Sequence, residues 1–238
     1  MNSIVVERRP GDRLRLDKPR LVVVCSPKGG VGKTTISSNL LVAAWQRGIK
    51  AVGIDLDAQE TLTKWHRARP QEVRDFSVRP HRLSEWGMIA EELLKANIDA
   101  EGKRVVDLVV VDTAPSVEDH ILAVRNVLED ADLVVVPTKA SEFDLNSILP
   151  WGKKLSEFTS RSTIILNQIN RSASSWQKAQ SRIVRARLSA CPVVLPNSED
   201  VSRFQDRGLA LLDISKVRGD TQERFDALFD YVAKEVGL

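Results

Sequence analysis

The sequence predicts an α/β protein: a doubly wound, mostly parallel sheet with helices on both faces. Three observations predict it. Short apolar runs at 21–25, 51–56, 105–111, 133–136 and 163–166 are continuous rather than alternating, the pattern of strands covered on both sides. Stretches with helical spacing separate them, so each strand leads into a right-handed crossover toward a parallel neighbour, with ligands expected at the carboxyl ends. A length of 238 residues with 42% apolar content buries one full core, and no internal repeat or low-complexity tract suggests a second.

In chain order, residues 1–18 read as a flexible arm. Pro10 and Gly11 interrupt it, and Arg8, Arg9, Arg13 and Arg15 are diluted by Glu7, Asp12 and Asp17. Residues 19–238 read as a single domain. The arm has no apolar leader core, and no later run approaches the ~18 apolar residues of a membrane span, so a soluble cytoplasmic protein is expected. The run Leu21–Cys25 is the first strand. Behind it stands Pro27-Lys28-Gly29-Gly30-Val31-Gly32-Lys33-Thr34-Thr35, a phosphate-binding loop between strand and helix. Gly29, Gly30 and Gly32 allow backbone N–H groups to close on phosphate oxygens, Lys33 can reach the β and γ phosphates, and the Thr34 hydroxyl suits Mg²⁺. The strict motif asks for glycine at 27, where this chain has Pro27 followed by a second lysine. One lysine suffices for a nucleotide held by one chain, so Lys28 has no evident task there.

Ile36, Leu40, Leu41 and Ala44 recur on one helical face, and Gly48 offers a stop before the second strand. That strand carries Asp55 and runs on to Asp57. Alternation along an extended chain places these two on one side, where each opposes the other's ionisation. The third strand ends in Asp112, and a carboxylate at the end of so apolar a run needs a cation or hydrogen-bond donors. The fifth ends at Asn167. From Arg171 to Arg187 the chain carries Lys178, Arg182, Arg185 and Arg187 with no acidic residue, and it reads as a helix. Arg182, Arg185 and Lys178 share a face that can track phosphates, against the plainer reading of a solvated arginine face. The formal charge is only +3, so contact with nucleic acid has to come from such local clusters. Cys25 and Cys191 suit neither a disulfide framework nor a zinc site and read as small buried hydrophobes. Phe225, Leu228, Phe229, Val232 and Val236 form a terminal apolar stripe whose polar face is too acidic for anionic lipid, so it reads as core packing.

The loop form Lys28-Gly29-Gly30-x-Gly32-Lys33-Thr34-Thr35 resembles the deviant Walker A signature of the ParA/MinD group of P-loop ATPases. Ile54-Asp55-Leu56-Asp57-Ala58-Gln59 resembles the group's next motif, and Val109-Val110-Val111-Asp112-Thr113-Ala114-Pro115 its Walker B strand. Within the group, the layout looks most like the short ParA-type partition ATPases of plasmids and chromosomes. The resemblance implies a P-loop NTPase fold, ATP and Mg²⁺ as cofactors and a slow intrinsic ATPase activity. By this resemblance residues 28–35 cradle the nucleotide, Val31 and Thr35 included, with Asn167 and Pro196 toward the base. Thr34 and Asp112 hold Mg²⁺ with Asp55 near it, Asp57 positions the attacking water, and Lys33 compensates charge. Lys28 crosses to the nucleotide of a second subunit, making an ATP-sandwich homodimer.

The resemblance further implies non-specific DNA as a ligand, contacted by Lys178, Arg182, Arg185 and Arg187 with Arg203, Arg207, Lys216 and Arg218. It implies a ParB-type centromere-binding partner that stimulates hydrolysis, nucleoid association and no membrane binding. A MinD-like or other ParA-like ATPase positioning a protein cargo is the main alternative. A small-molecule ATP-dependent ligase of the same fold is another, although it would require neither Lys28 nor the basic helix. An iron–sulfur electron carrier would need paired cysteines in its motif, and a tyrosine autokinase more than Tyr231.

Overall fold

The computed structural model describes residues 18–74, 76–95, 105–115, 121–170, 172, 174–215, 217 and 219–238. Apart from Lys18, the expected arm lies outside these residues, as do Arg171, Lys216 and Arg218. Six strands form one parallel sheet: β1 (Arg20–Val24), β2 (Ala51–Asp55), β3 (Ser77–Pro80), β4 (Leu108–Asp112), β5 (Leu133–Thr138) and β6 (Ser162–Leu166). Their order is β3-β2-β4-β1-β5-β6. Every apolar run singled out in the sequence is a strand. β3 is additional. Its residues are mostly exposed, among the described residues it pairs with β2 alone, and Pro80, with no N–H to donate, closes it at the sheet edge. β4 begins at Leu108 rather than at Val105, because Val105 is exposed and the Asp107 carboxylate accepts the Lys50 N–H at 3.1 Å.

The strands alternate their valines between two apolar layers. Val22 and Val24 of β1 face α1 (Lys33–Gln46), α2 (Thr61–Ala68), α7 (Glu199–Gln205) and α8 (Thr221–Val236). Val23 faces the layer of α3 (Trp86–Lys95), α4 (Ile121–Asp130), α5 (Glu142–Leu155) and α6 (Ser175–Arg185). The stripe read in the terminal segment is confirmed as core. Phe225, Leu228, Phe229, Val232 and Val236 are all buried on α8, each contributing roughly 1.5–3 kcal/mol. Gly48 ends the turn after α1 at φ +71°, a conformation that favours glycine. Among the described residues no helix is long and apolar enough to cross a membrane.

A charged pair is built into the core away from the loop. Arg69, at the end of α2, is fully buried and forks onto Asp213, Nη1 to Oδ2 at 2.8 Å and Nη2 to Oδ1 at 3.1 Å. It also donates to the carbonyls of Val73 and Gly208 and lies against the rings of Trp65 and Phe76, at 4.9 and 5.1 Å. These contacts fasten the segment after α7 to α2.

The topology fixes where a ligand can bind. β1 lies between β4 and β5, so the chain leaves it toward one side for β2 and returns across it from β4 to β5. At such a switch point the carboxyl ends of neighbouring strands open into a crevice. The register brings Val24 beside Asp112 and Asp112 beside Asp55, and Cys25 with its following loop emerges between β4 and β5, next to Asp112.

Candidate nucleotide site

The loop leaves β1 and enters α1 through Gly32, whose φ of +92° is left-handed. α1 has no side-chain cap at its start, so its first-turn N–H groups and the positive end of its dipole are available to an anion. A Cβ on Gly32 would stand 2.3 Å from Asn167 Nδ2, so the close approach itself requires glycine. Asn167 donates that nitrogen to Val31 O at 2.8 Å, and Gln168 donates Nε2 to Gly30 O at 3.1 Å. The end of β6 therefore clamps the loop from outside. Asn167, expected toward the base edge, is buried against the loop, with its oxygen accepting the Gln168 N–H at 2.8 Å. Gln168 was not foreseen, and its sole sequence signal is its place after Asn167 at a strand end. Pro196 is beside it, bridged to Ile169.

Inside the loop, Lys33 donates Nζ to Lys28 O at 3.3 Å. Burial pushes its pKa down, while the Asp112 and Asp57 carboxylates push it back up. Asp112 is 1% exposed and receives Thr34 Oγ1 at 2.6 Å and Ser37 Oγ at 3.1 Å. Burial pushes the Asp112 carboxyl up to about 7, with Asp55 adding to the rise and Thr34, Ser37 and Lys33 opposing it. This arrangement fits a divalent cation: a buried carboxylate short of positive charge has a hydroxyl oxygen within ligand-to-ligand distance. The buried Ser26 hydroxyl at the loop's start has no partner among the described residues, a further polar atom available to a ligand.

Asp55 behaves differently from the expectation. β2 stops at Asp55, so alternation does not carry it and Asp57 to one face. Its Oδ2 accepts the Thr63 N–H at 2.8 Å and the Thr63 hydroxyl at 2.9 Å, and its Oδ1 accepts the Asp57 N–H at 3.1 Å. It thus caps the first turn of α2 while standing beside Asp112 in register. Burial raises its pKa, and those donors lower it. Asp57 is half-buried at the mouth of the site, its Oδ1 accepting the Gln59 N–H at 2.9 Å. Thr35 donates its hydroxyl to Gln205 Oε1 at 2.8 Å, a link from the loop to α7 that sequence spacing could not reveal. Cys25 is fully buried and its thiol is pushed up to about 12 by burial, so it is chemically quiet and fits the reading of a buried hydrophobe.

Lys28 points away from its own loop. Its Nζ donates to Phe143 O at 2.9 Å and to Asp144 Oδ1 at 3.1 Å.

The basic positions are not one cluster. Lys178, Arg185 and Arg187 are exposed on or just beyond α6, while Ala179 and Ile183 bury its opposite side. Arg182 lies along the surface toward α5, in an ion pair with the exposed Glu142 and a hydrogen bond to Asn146 Oδ1 at 3.3 Å, so it is not a free cation like its neighbours. Arg203 and Arg207 are exposed, but they belong to α7 and the turn after it, in the layer across the sheet from α6.

Comparison with known proteins shows the same architecture. The family described as the CobQ/CobB/MinD/ParA nucleotide binding domain matches residues 22–212. "Probable plasmid-partitioning protein ParA" of Thermus thermophilus is 29% identical over 163 residues, 56% of this chain and 48% of that relative, so the chain spans about half its length. "Maintenance of carboxysome distribution protein A" of Gloeobacter kilaueensis is 27% identical over 226 residues, 92% of this chain and 94% of the relative. Among solved structures, the MinC:MinD cell division protein complex of Aquifex aeolicus matches with a TM-score of 0.70 at 16% identity, over 90% of this chain and 96% of that one. Septum site-determining protein MinD of Pyrococcus horikoshii, complexed with Mg-ADP, matches with a TM-score of 0.67 at 16% identity, over 92% and 98%.

Proposed function

The chain belongs to the CobQ/CobB/MinD/ParA nucleotide-binding family, whose ParA and MinD members are ATPases, and on that premise we propose that it is a ParA-type ATPase for DNA segregation. In this reading an ATP-bound homodimer grips DNA without regard to sequence, and hydrolysis stimulated by a ParB-type partner releases it. The observation that carries it is the division of labour between two lysines of one loop. Lys33 turns into the loop, and Lys28 reaches out of it, so the second cation is free of its own nucleotide and suited to another chain's.

The residues present divide the chemistry. The loop N–H groups of 29–35 and Lys33 bind and orient the triphosphate, and the clamp of Asn167 and Gln168 keeps the loop in that shape. Thr34 and Asp112 would hold Mg²⁺, with Asp55 behind them. When bound, Mg²⁺ neutralises phosphate charge. Asp57, at the mouth, orients water for attack. Pro196 borders the base side. Lys178, Arg185 and Arg187 supply salt-sensitive phosphate contacts.

Retention on DNA in the presence of ATP, ADP or no nucleotide tests the reading. ATP-selective retention supports it, and equal retention in all three refutes it. Lys178→Glu with Arg185→Glu should abolish retention with ATP binding intact; full retention would refute the placement of DNA on α6. A second reading, an ATPase that positions a protein body, is favoured by the carboxysome-distribution relative, which this chain matches over nearly the whole of both. The two readings part on whether a centromere-binding protein or a cargo adaptor accelerates hydrolysis.

A further inference from the structure

We propose that Asp144 and Phe143 form a latch that holds Lys28 within its own chain and sets the nucleotide concentration at which two chains pair. The inference rests on the sandwich-dimer reading above. Lys28 has three attachments on the first turn of α5. Its Nζ donates to Phe143 O at 2.9 Å and Asp144 Oδ1 at 3.1 Å, and it stands 3.7 Å from the centroid of the Phe143 ring. The receiving side is built in advance. Ser141 caps α5, its Oγ accepting the Asp144 N–H at 3.1 Å, and the same hydroxyl donates to the other carboxylate oxygen of Asp144. The carboxylate is therefore oriented before the lysine arrives.

Charge explains why Asp144 decides the matter. The start of a helix is the positive end of its dipole and repels a cation. Lys28 stays there because a carboxylate outweighs that field. Burial pulls the Asp144 carboxyl upward, but Ser141, Lys28 and Lys139 outweigh it and hold the group below the ordinary carboxylate range, so it is charged at neutral pH. Phe143 is 79% exposed and contributes its ring face to the ammonium.

A lysine so held cannot reach a second subunit. Pairing through Lys28 has to open one latch in each protomer, and the nucleotide has to supply that free energy. Opening a partly exposed ion pair shifts an equilibrium by about 2- to 5-fold. Two latches open per dimer, so removing the attachment should favour the dimer by about 4- to 25-fold.

The test is sedimentation velocity of the full chain titrated with Mg²⁺ and a non-hydrolysable ATP analogue, comparing wild type, Asp144→Asn and Lys28→Gln. Asp144→Asn should dimerise at a several-fold lower analogue concentration than wild type, and Lys28→Gln should not dimerise. If wild type dimerises and the Asp144→Asn curve coincides with it, the latch is refuted and the dimer reading stands. If wild type stays monomeric at saturating analogue, both fall. A second measurement needs no variant. Lys28 in the nucleotide-free chain should be acylated by acetic anhydride several-fold more slowly than the exposed Lys153 and Lys154. Equal rates, read by mass spectrometry, would overturn the latch.

Discussion

Asp112 gives the sharpest quantitative consequence of the site. Its carboxyl is fully buried and raised from 3.8 to about 7, burial being the largest cause. Between those values the folded chain keeps a proton that the unfolded chain has released, so unfolding releases a proton and stability falls as pH rises. Across the whole window the loss is about 4 kcal/mol, from roughly three units at about 1.4 kcal/mol each. From pH 5 to pH 8 the share is about 2–3 kcal/mol, because part of the window lies below pH 5. Other carboxylates titrate over the same range, so the quantity to measure is the difference between wild type and Asp112→Asn. The asparagine has the shape of the protonated acid, can still meet Thr34 and Ser37, and stays neutral throughout. Urea unfolding of both proteins, free of Mg²⁺ and nucleotide, should show Asp112→Asn gaining about 2–3 kcal/mol on wild type between pH 5 and pH 8. A difference that does not change with pH would refute the argument that this carboxylate is buried short of positive charge.

Arg69→Ala leaves the Asp213 carboxylate buried without its partner and should cost about 3–5 kcal/mol, lowering Tm by roughly 6–20 °C; Arg69→Met with Asp213→Leu should recover most of the loss. A single variant losing less than about 1 kcal/mol in urea would show that the pair is not as buried as its geometry indicates. Gly32→Ala combines a left-handed backbone position with a Cβ 2.3 Å from Asn167 Nδ2, so it should weaken binding of a fluorescent ATP analogue by about 10- to 100-fold without unfolding the chain. Unchanged affinity would mean that the clamp of Asn167 on Val31 does not shape the loop.

The parts of the fold legible in the sequence were those whose signal is local and repeated. β1, β2, β4, β5 and β6 are apolar without interruption because both faces are covered, and α8 shows its stripe because only one face is. β3 was not legible. Its four residues are held by pairing with β2, and backbone hydrogen bonding leaves no mark on side-chain pattern. Arg69 was hidden for a different reason: nothing nearby distinguishes an arginine destined for the core from the other arginines, since Asp213 lies 144 positions away. The ion pair of Arg182 was hidden in the same way. Its spacing with Lys178 and Arg185 is real, but Glu142 and Asn146 come from α5, which the sequence could not set beside α6.

The site shows most clearly where reading by motif ends. Asp55, Asp57 and Asp112 are the same residue type in two short motifs, yet the fold gives them three conditions. Asp55 is satisfied by three donors from Thr63 and Asp57, because β2 stops at it and α2 begins just beyond. Asp57 falls past that stop, and is left half-buried at the mouth where water can reach it. Asp112 is as buried as Asp55 but, among the described residues, receives two hydroxyls and no N–H, and burial raises it to about 7 despite Lys33. The loop lysines divide likewise: Lys33 is drawn in by the carboxylates facing it, and Lys28 is drawn out by the one carboxylate that the cap of α5 holds within its reach. The surroundings of each residue in these motifs therefore follow from where β2 ends and where α2 and α5 begin, and those boundaries decide which acid is left short of positive charge and which lysine leaves the loop.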